Sequence, residues 1–283
     1  MTLNDLIAEA ERRLDEAGVV FGQGTMCAHD EAAWLVHWRL GLPLEGVDDR
    51  AVTEQEWAGA LALVAERIRT RQPTAYLTGE AWLQGVPFHV DARSIVPRSL
   101  IAEVLADGLI DAWLGREPTR VLDLCTGNGS LAVLAALAWP EARVTGTDVS
   151  AEALAVAVRN VERHAPQVRL LKGSGWQPVA GERFDVVLCN PPYVNAQSMA
   201  TLPPEFRAEP ELALAGGADG MNLLRDWLPQ AAAHLKHDGV LVLEIGHERA
   251  HFEAAFPHLV PVWLATSSGD DAVLLLTHEA LDT

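Results

Sequence analysis

Along the first 70 residues, apolar side chains recur at helical spacing between acids and arginines. Leu3, Leu6, Ile7 and Leu14 do so over 3–16, and similar patterns run over 30–40 and 54–70, with Gly41 and Pro73 as stop signals. This predicts a small helical domain over 1–78. Over 80–97 the spacing moves toward alternation, with Gly85 and Pro87 as turn residues, which predicts a β-hairpin linker spanning about 79–98. From Ser99 onward helical stretches alternate with short apolar runs near 121–125, 143–147, 168–172, 184–189, 239–245, 259–265 and 272–277. That alternation predicts an α/β domain over 99–283, with a mainly parallel sheet covered by helices on both faces. One stretch breaks it. Residues 194–219, with Pro203, Pro204, Pro210, Gly216 and Gly217, read as a long irregular loop and a candidate substrate-binding lid, in which Arg207 is a surface charge or a substrate contact.

The apolar run 184–189 ends at Asn190-Pro191-Pro192-Tyr193. Both prolines lack an N–H and hold φ near −65°, so the Pro191 carbonyl points in a fixed direction. With the Asn190 side-chain carbonyl it offers two acceptors that can hold both hydrogens of one planar –NH2 group. Such a clamp suits an enzyme that activates a poor nitrogen nucleophile, because it orients the nitrogen and pushes electron density onto it. Tyr193 offers a flat wall for a planar amide or base, and Pro192 completes the substrate-facing turn.

Residues 119–148 indicate what the nitrogen attacks. Val121-Leu122-Asp123-Leu124 reads as a strand, Cys125-Thr126-Gly127-Asn128-Gly129-Ser130 as a glycine-rich turn, and residues 131–139 as a helix. A second strand over 143–147 then finishes at Asp148. Glycines at this turn let a ligand approach the backbone, and an acid ending the next strand can bind ribose hydroxyls. Gly127-x-Gly129-x-x-Ala132 also fits the loose dinucleotide fingerprint. Asp123, however, would repel a pyrophosphate and can instead balance an amino-acid ammonium. An activated methyl donor, S-adenosylmethionine, makes a coherent enzyme with an –NH2 clamp; a hydride donor does not.

With these motifs, the chain resembles class I S-adenosylmethionine-dependent methyltransferases of the glutamine-amide subgroup. Within it the chain is similar to the branch that methylates the third protein of the large ribosomal subunit (uL3). The resemblance spans nearly the whole chain, including Val20-Phe21-Gly22-Gln23-Gly24-Thr25 with Asp30-Glu31-Ala32, Ala75-Tyr76-Leu77-Thr78, Val96-Pro97-Arg98-Ser99 and Glu205-Phe206-Arg207-Ala208-Glu209-Pro210. It implies a Rossmann-like, seven-stranded sheet with an antiparallel edge, S-adenosylmethionine as cofactor, and Arg98 as a further substrate contact. The sister enzymes that act on release factors usually carry Pro-Arg-Pro-Asp/Glu-Thr-Glu where this chain has Pro97-Arg98-Ser99-Leu100-Ile101-Ala102-Glu103. The subgroup also has Ser-Asp plus a bulky residue after its third strand, where Ser174-Gly175-Trp176 stands here. The acid that accepts from the adenine amino group is missing, Trp176 is the expected adenine-facing ring, and Gly175→Asp is expected to leave cofactor affinity unchanged or improve it.

Composition narrows the partners. The formal charge of −18 disfavours a nucleic-acid surface and favours a basic partner such as a ribosomal protein. The clamp alone also fits an adenine or cytosine amino methyltransferase, which would need a basic groove or an added nucleic-acid domain. Three scattered cysteines (Cys27, Cys125, Cys189), no basic-then-apolar N-terminus and no long apolar run point to the cytoplasm, with no membrane contact. His247-Glu248-Arg249-Ala250-His251 matches the HExxH zinc pattern, but it falls where the α/β sheet needs its next helix, so no metal is expected.

Overall fold

The computed structural model describes residues 1–45 and 47–282; Thr283, the last residue of the expected α/β domain, and Gly46 lie outside the described residues. Three helices open the chain: α1 (Leu3–Glu16), α2 (Ala28–Leu40) and α3 (Glu54–Thr70). Helices α1 and α3 each start in a reciprocal cap, Thr2 with Asp5 and Thr53 with Glu56, which satisfies N–H groups the first turn leaves open. Their apolar faces meet in one core containing Leu6, Leu14, Leu35, Val36 and Val64. Buried Arg67 of α3 donates to Glu31 of α2 at 2.7 Å, so the packing leaves no unpaired charge.

The short helix α4 (Thr74–Thr78) leads into β1 (Glu80–Leu83) and β2 (Val86–His89), an antiparallel hairpin. The hairpin is shorter than expected, since residues 90–97 form no strand. A small apolar cluster of Trp34, Ala75, Ala81, Val90 and Val96 joins α2 to this linker.

After α5 (Ile101–Ala106) the chain runs β3 (Arg120–Leu124), α6 (Ser130–Ala138), β4 (Arg143–Asp148), α7 (Ala151–His164), β5 (Arg169–Lys172) and β6 (Phe184–Cys189). Residues 194–217 then hold β7 (Val194–Asn195), α8 (Ala196–Thr201), α9 (Pro204–Arg207) and β8 (Ala215–Gly217). Next come α10 (Asn222–His234), β9 (Leu235–Glu244), α11 (Arg249–Ala255), β10 (Val262–Thr266), β11 (Gly269–Thr277) and α12 (His278–Leu281). The seven-stranded sheet has the order β10-β11-β9-β6-β3-β4-β5. Its core pairs are parallel, and β11 runs antiparallel to both β9 and β10, as the expected edge requires. Successive residues alternate between faces. Val121, Val186 and Val242 join the layer under α5 and α6, whereas Leu122, Val187 and Leu243 join the layer under α10 and α11. Strand order reverses between β4 and β6 around β3, which opens a crevice at the carboxyl ends of these strands.

Residues 194–219 are therefore not irregular. Two of their acids are buried and tie the segment to the front of the chain. The Glu205 carboxylate accepts from Val20 N–H (3.3 Å) and Arg71 Nη1 (3.0 Å). Glu209 accepts from Val96 N–H (2.9 Å) and takes both Arg98 Nη atoms, at 2.6 and 2.8 Å.

Candidate active site

The crevice holds a cavity of about 270 Å³ lined by Cys125, Gly127, Asp148, Ser174, Gly175, Asn190, Pro192 and Trp227, among others. The turn after β3 forms its floor. Asp148, at the end of β4, accepts from Gly127 N–H at 2.9 Å through one oxygen and from Ser150 N–H at 2.8 Å through the other. This fixes the acid against the glycine loop, while burial raises its pKa. Ser94 and Thr147 also line the cavity, and their buried hydroxyls have no hydrogen-bond partner among the described residues. Unpaired hydroxyls beside an anchored acid suit a ligand that brings its own donors and acceptors, such as the ribose and amino-acid parts of S-adenosylmethionine.

Most of the other loop residues act from behind. Asp123 is wholly buried and does not line the cavity: one oxygen accepts from Thr126 Oγ1 (2.5 Å) and Ala132 N–H (2.9 Å), and the second has no partner. Burial raises its pKa to about 7. The expected open counter-charge for an ammonium is thus a carboxylate turned into the loop. Thr126 and Asn128 are buried too; the Asn128 side chain accepts from Ser130 N–H at 3.2 Å, and the Asn128 backbone carbonyl accepts from the Asn160 side-chain amide at 2.9 Å. Gly129 N-caps α6. Cys125 touches Cys189, and that contact together with burial pushes its thiol pKa up, which fits a packing role rather than a nucleophile.

A second cavity of about 210 Å³ adjoins the first, lined by Arg98, Asn190, Pro191, Tyr193, Phe206, Glu244 and His247 among others. Asn190 lines both cavities. Its side chain makes no hydrogen bond to another described residue, and the Pro191 carbonyl accepts none. Both acceptors of the clamp are therefore free. Arg98 reaches this cavity while held by Glu209, and its guanidinium lies 5.6 Å from the centroid of the Phe206 ring.

Two residues here escaped the sequence reading. Glu244, at the end of β9, accepts from Ser99 Oγ at 2.5 Å, Leu100 N–H at 2.9 Å and the Tyr193 hydroxyl at 3.4 Å. Burial raises its pKa and, with the nearby Glu244 charge, that of Tyr193. Gly246 lies against the Tyr193 ring at φ +54°, so close that a Cβ would fall 2.6 Å from Cε2. Both lie some fifty residues beyond the clamp, and no local pattern links them to it.

Trp176 requires correction. It does not face the cavity; its ring stacks on His234 with centroids 4.6 Å apart, and its Nε1–H donates to the Trp227 carbonyl at 3.0 Å. The turn between β5 and the single 3-10 turn at Gln177–Val179 carries it into the layer beneath α10, and Trp227 of α10 takes the cavity wall instead. A Cβ on Gly175, which sits at φ +53°, would lie 2.6 Å from Trp227 Nε1. Gly175→Asp therefore collides with the indole, and the neutral or favourable effect expected of it is withdrawn. In the HExxH stretch, α11 starts only at Arg249, so His247 and His251 do not share a helical turn, and buried Glu248 accepts from Asn195 (2.6 Å) and His251 (2.5 Å). Arg207 is exposed, and among the described residues its guanidinium donates to the Ala200 carbonyl alone, at 3.4 Å.

Sheet order, glycine loop, terminal acid and clamp together define a class I methyltransferase, and a family profile described as "Methyltransferase small domain" matches residues 102–208. The chain belongs to the family of ribosomal protein uL3 glutamine methyltransferases. It is 53% identical to the protein of that name from Bordetella pertussis over 290 residues, covering 100% of this chain and 97% of that one. It is 47% identical to the one from Burkholderia pseudomallei (97% and 94% covered) and 44% identical to one from Neisseria meningitidis serogroup B (99% and 94%). Among solved structures, the hMettl16 catalytic domain in complex with MAT2A 3'UTR hairpin 1 superposes with a TM-score of 0.53 at 14% identity, over 80% of this chain and 81% of that one, a likeness of fold.

Proposed function

We propose that this chain transfers the methyl group of S-adenosylmethionine to the side-chain amide nitrogen of a glutamine in ribosomal protein uL3. The observation that carries the reading is the place of Asn190 on a wall shared by two adjoining cavities, one suited to the cofactor and one to the amide. S-adenosylmethionine supplies an electrophilic sulfonium methyl in the first cavity. Asn190 Oδ1 and the Pro191 carbonyl accept the two amide N–H bonds, which orients the nitrogen toward that methyl. Tyr193 packs against the amide plane, and Arg98 contacts the substrate beside it. With the cofactor bound, in-line transfer would form the N–C bond as the sulfonium S–C bond breaks and S-adenosylhomocysteine leaves, and the acidified nitrogen would then shed its proton. No base has to act first.

Residues 1–78 would serve as the substrate-recognition domain, 79–98 as the linker and 99–283 as the methyltransferase domain, with the lid over 194–219 bolted to the first two through Glu205 and Glu209. Names of relatives at 42–53% identity over nearly their full length support the substrate assignment. So does the −18 formal charge, which suits a basic partner better than nucleic acid. No helix among the described residues is long and apolar enough to cross a membrane, and we place the enzyme in the cytoplasm with its substrate.

Competition labelling tests this reading. Given equal amounts of unmodified uL3 and unmodified release factor with radiolabelled cofactor, uL3 should be labelled far faster. The preference should shrink as salt rises to about 0.5 M, where screening reaches only a few Å. Faster labelling of the release factor would overturn the substrate assignment, and labelling of nucleic acid alone would overturn the amide reading.

A further inference from the structure

Among the described residues, Asp148 is the only carboxylate on the wall of the cofactor cavity, and both its oxygens already accept backbone N–H groups, from Gly127 at 2.9 Å and Ser150 at 2.8 Å. Beyond Asp148 the wall continues through Val149, Gly173, Ser174, Gly175, Leu223 and Trp227. This end is mostly apolar and flanked by one aromatic ring, which suits a flat heterocycle.

The ring is held in place. A Cβ at Gly175 would lie 2.6 Å from Trp227 Nε1 and 3.1 Å from both Cδ1 and Cε2, so the indole fills the space that any side chain at 175 would need. From behind, Trp176 donates to the Trp227 carbonyl at 3.0 Å and is itself clamped by its stack on His234. The indole Nε1–H of Trp227 meets no acceptor among the described residues. The wall thus presents a ring and an unpaired donor, and no free carboxylate. A 6-amino purine is told from a 6-oxo purine by an acceptor that welcomes the amino hydrogens and repels the oxo oxygen.

We propose that Trp227, seated in the space left by Gly175, forms the purine wall of the cofactor site, and that the site therefore accepts a 6-oxo purine nearly as well as a 6-amino one. The inference rests on the cofactor reading given above. It makes this chain's cofactor recognition a matter of stacking and ribose contacts rather than of a carboxylate at the base edge.

Titration calorimetry with S-adenosyl-L-homocysteine and S-inosyl-L-homocysteine tests it without any turnover. The wild-type protein should bind the two within about tenfold of each other, since the charge-assisted hydrogen bond that would separate them further is missing. Trp227→Ala should weaken both roughly 5- to 150-fold, the range for removing an aromatic ring from under a base. Trp227→Phe, which keeps a ring, should lose less than Trp227→Ala for both ligands. A larger wild-type preference for the adenosine form, or equal affinity of Trp227→Ala and wild type, overturns the proposal and leaves the cofactor reading standing. Failure of the wild-type protein to bind either compound overturns the cofactor reading, and the proposal with it. Should Trp227→Ala lose its folded circular dichroism, the wild-type comparison and Trp227→Phe decide.

Discussion

Gly246 sets the position of Tyr193. The ring lies over the backbone of Gly246, where a Cβ would sit 2.6 Å from Cε2 and 3.0 Å from Cζ, while the hydroxyl reaches Glu244 two residues earlier at 3.4 Å. One tight turn after β9 thus holds both the face and the tip of the aromatic wall beside the clamp. Gly246→Ala would push the ring into the amide site and add the cost of a side chain at φ +54°. We expect its single-turnover rate to fall by about 100-fold, the scale for a 1 Å misplacement of a reacting group. Affinity for S-adenosylhomocysteine should stay close to wild type, because Gly246 and Tyr193 do not line that cavity. A rate near wild type would show that the ring does not position the substrate.

Asn190→Ala separates binding from chemistry differently. Asn190 borders both cavities, but its free amide is read as half of the nucleophile clamp. Removing a preorganised acceptor at a reacting centre typically costs on the order of 100-fold or more. Turnover should therefore be abolished while cofactor affinity changes little. A variant that keeps more than roughly a third of the wild-type single-turnover rate would end the assignment.

These two residues mark the limit of what the sequence discloses. The Asn190–Tyr193 run, the glycine loop and Asp148 could be singled out locally because each ends or follows a strand that periodicity locates, and each of these stretches lines one or both cavities. The strands of the sheet were legible from periodicity, the last expected near 272–277 and found at Gly269–Thr277, whereas its antiparallel direction was implied by the family resemblance. Gly246, Glu244 and Trp227 were not, because they reach the site from the next strand and helix, and only the folded sheet brings them near Asn190 and Gly175. Trp176 misled through adjacency: it follows the right loop, but the turn that leads into Gln177–Val179 carries it into the core. The prolines of 194–219 suggested a long irregular loop, whereas buried Glu205 and Glu209 tie a segment with short helices to the front of the chain.

Asp123 carries a pH-dependent cost. Its pKa rises from 3.8 to about 7 through burial. Between those values the folded protein keeps a proton that the unfolded chain has released, so stability falls as pH rises through this window. Below it both states are protonated and the cost vanishes. Asp123→Asn can still accept from Thr126 and Ala132 and removes the charge. Its stability gain should be about 1–4 kcal/mol at pH 8 and clearly smaller at pH 5. Thermal melts of both proteins at the two pH values check this, and an equal gain at both would mean that Asp123 titrates near its ordinary value.

Arg98 and Glu209 join the linker to the lid. Glu209 is fully buried, whereas the Arg98 side chain is 27% exposed, and the two make paired contacts of 2.6 and 2.8 Å. Glu209 also accepts from Val96 N–H at 2.9 Å, so its loss would free both the backbone before the sheet and the guanidinium beside the amide cavity. Glu209→Ala should destabilise the protein by about 2–4 kcal/mol, somewhat under the usual cost of breaking a fully buried pair because water screens one partner. Arg98→Ala should cost at least as much, since it leaves the fully buried Glu209 carboxylate without its counter-charge and with the Val96 N–H as its remaining donor. In the double variant the two losses should overlap by about 1–3 kcal/mol, as expected for residues in direct contact. Chemical denaturation of all four proteins measures that coupling. If the losses simply add, the ion pair does not fasten the lid. A KM for the protein substrate that rises in Arg98→Ala and in Glu209→Ala alike, with kcat less affected, would show that the fastened lid places Arg98 for substrate binding.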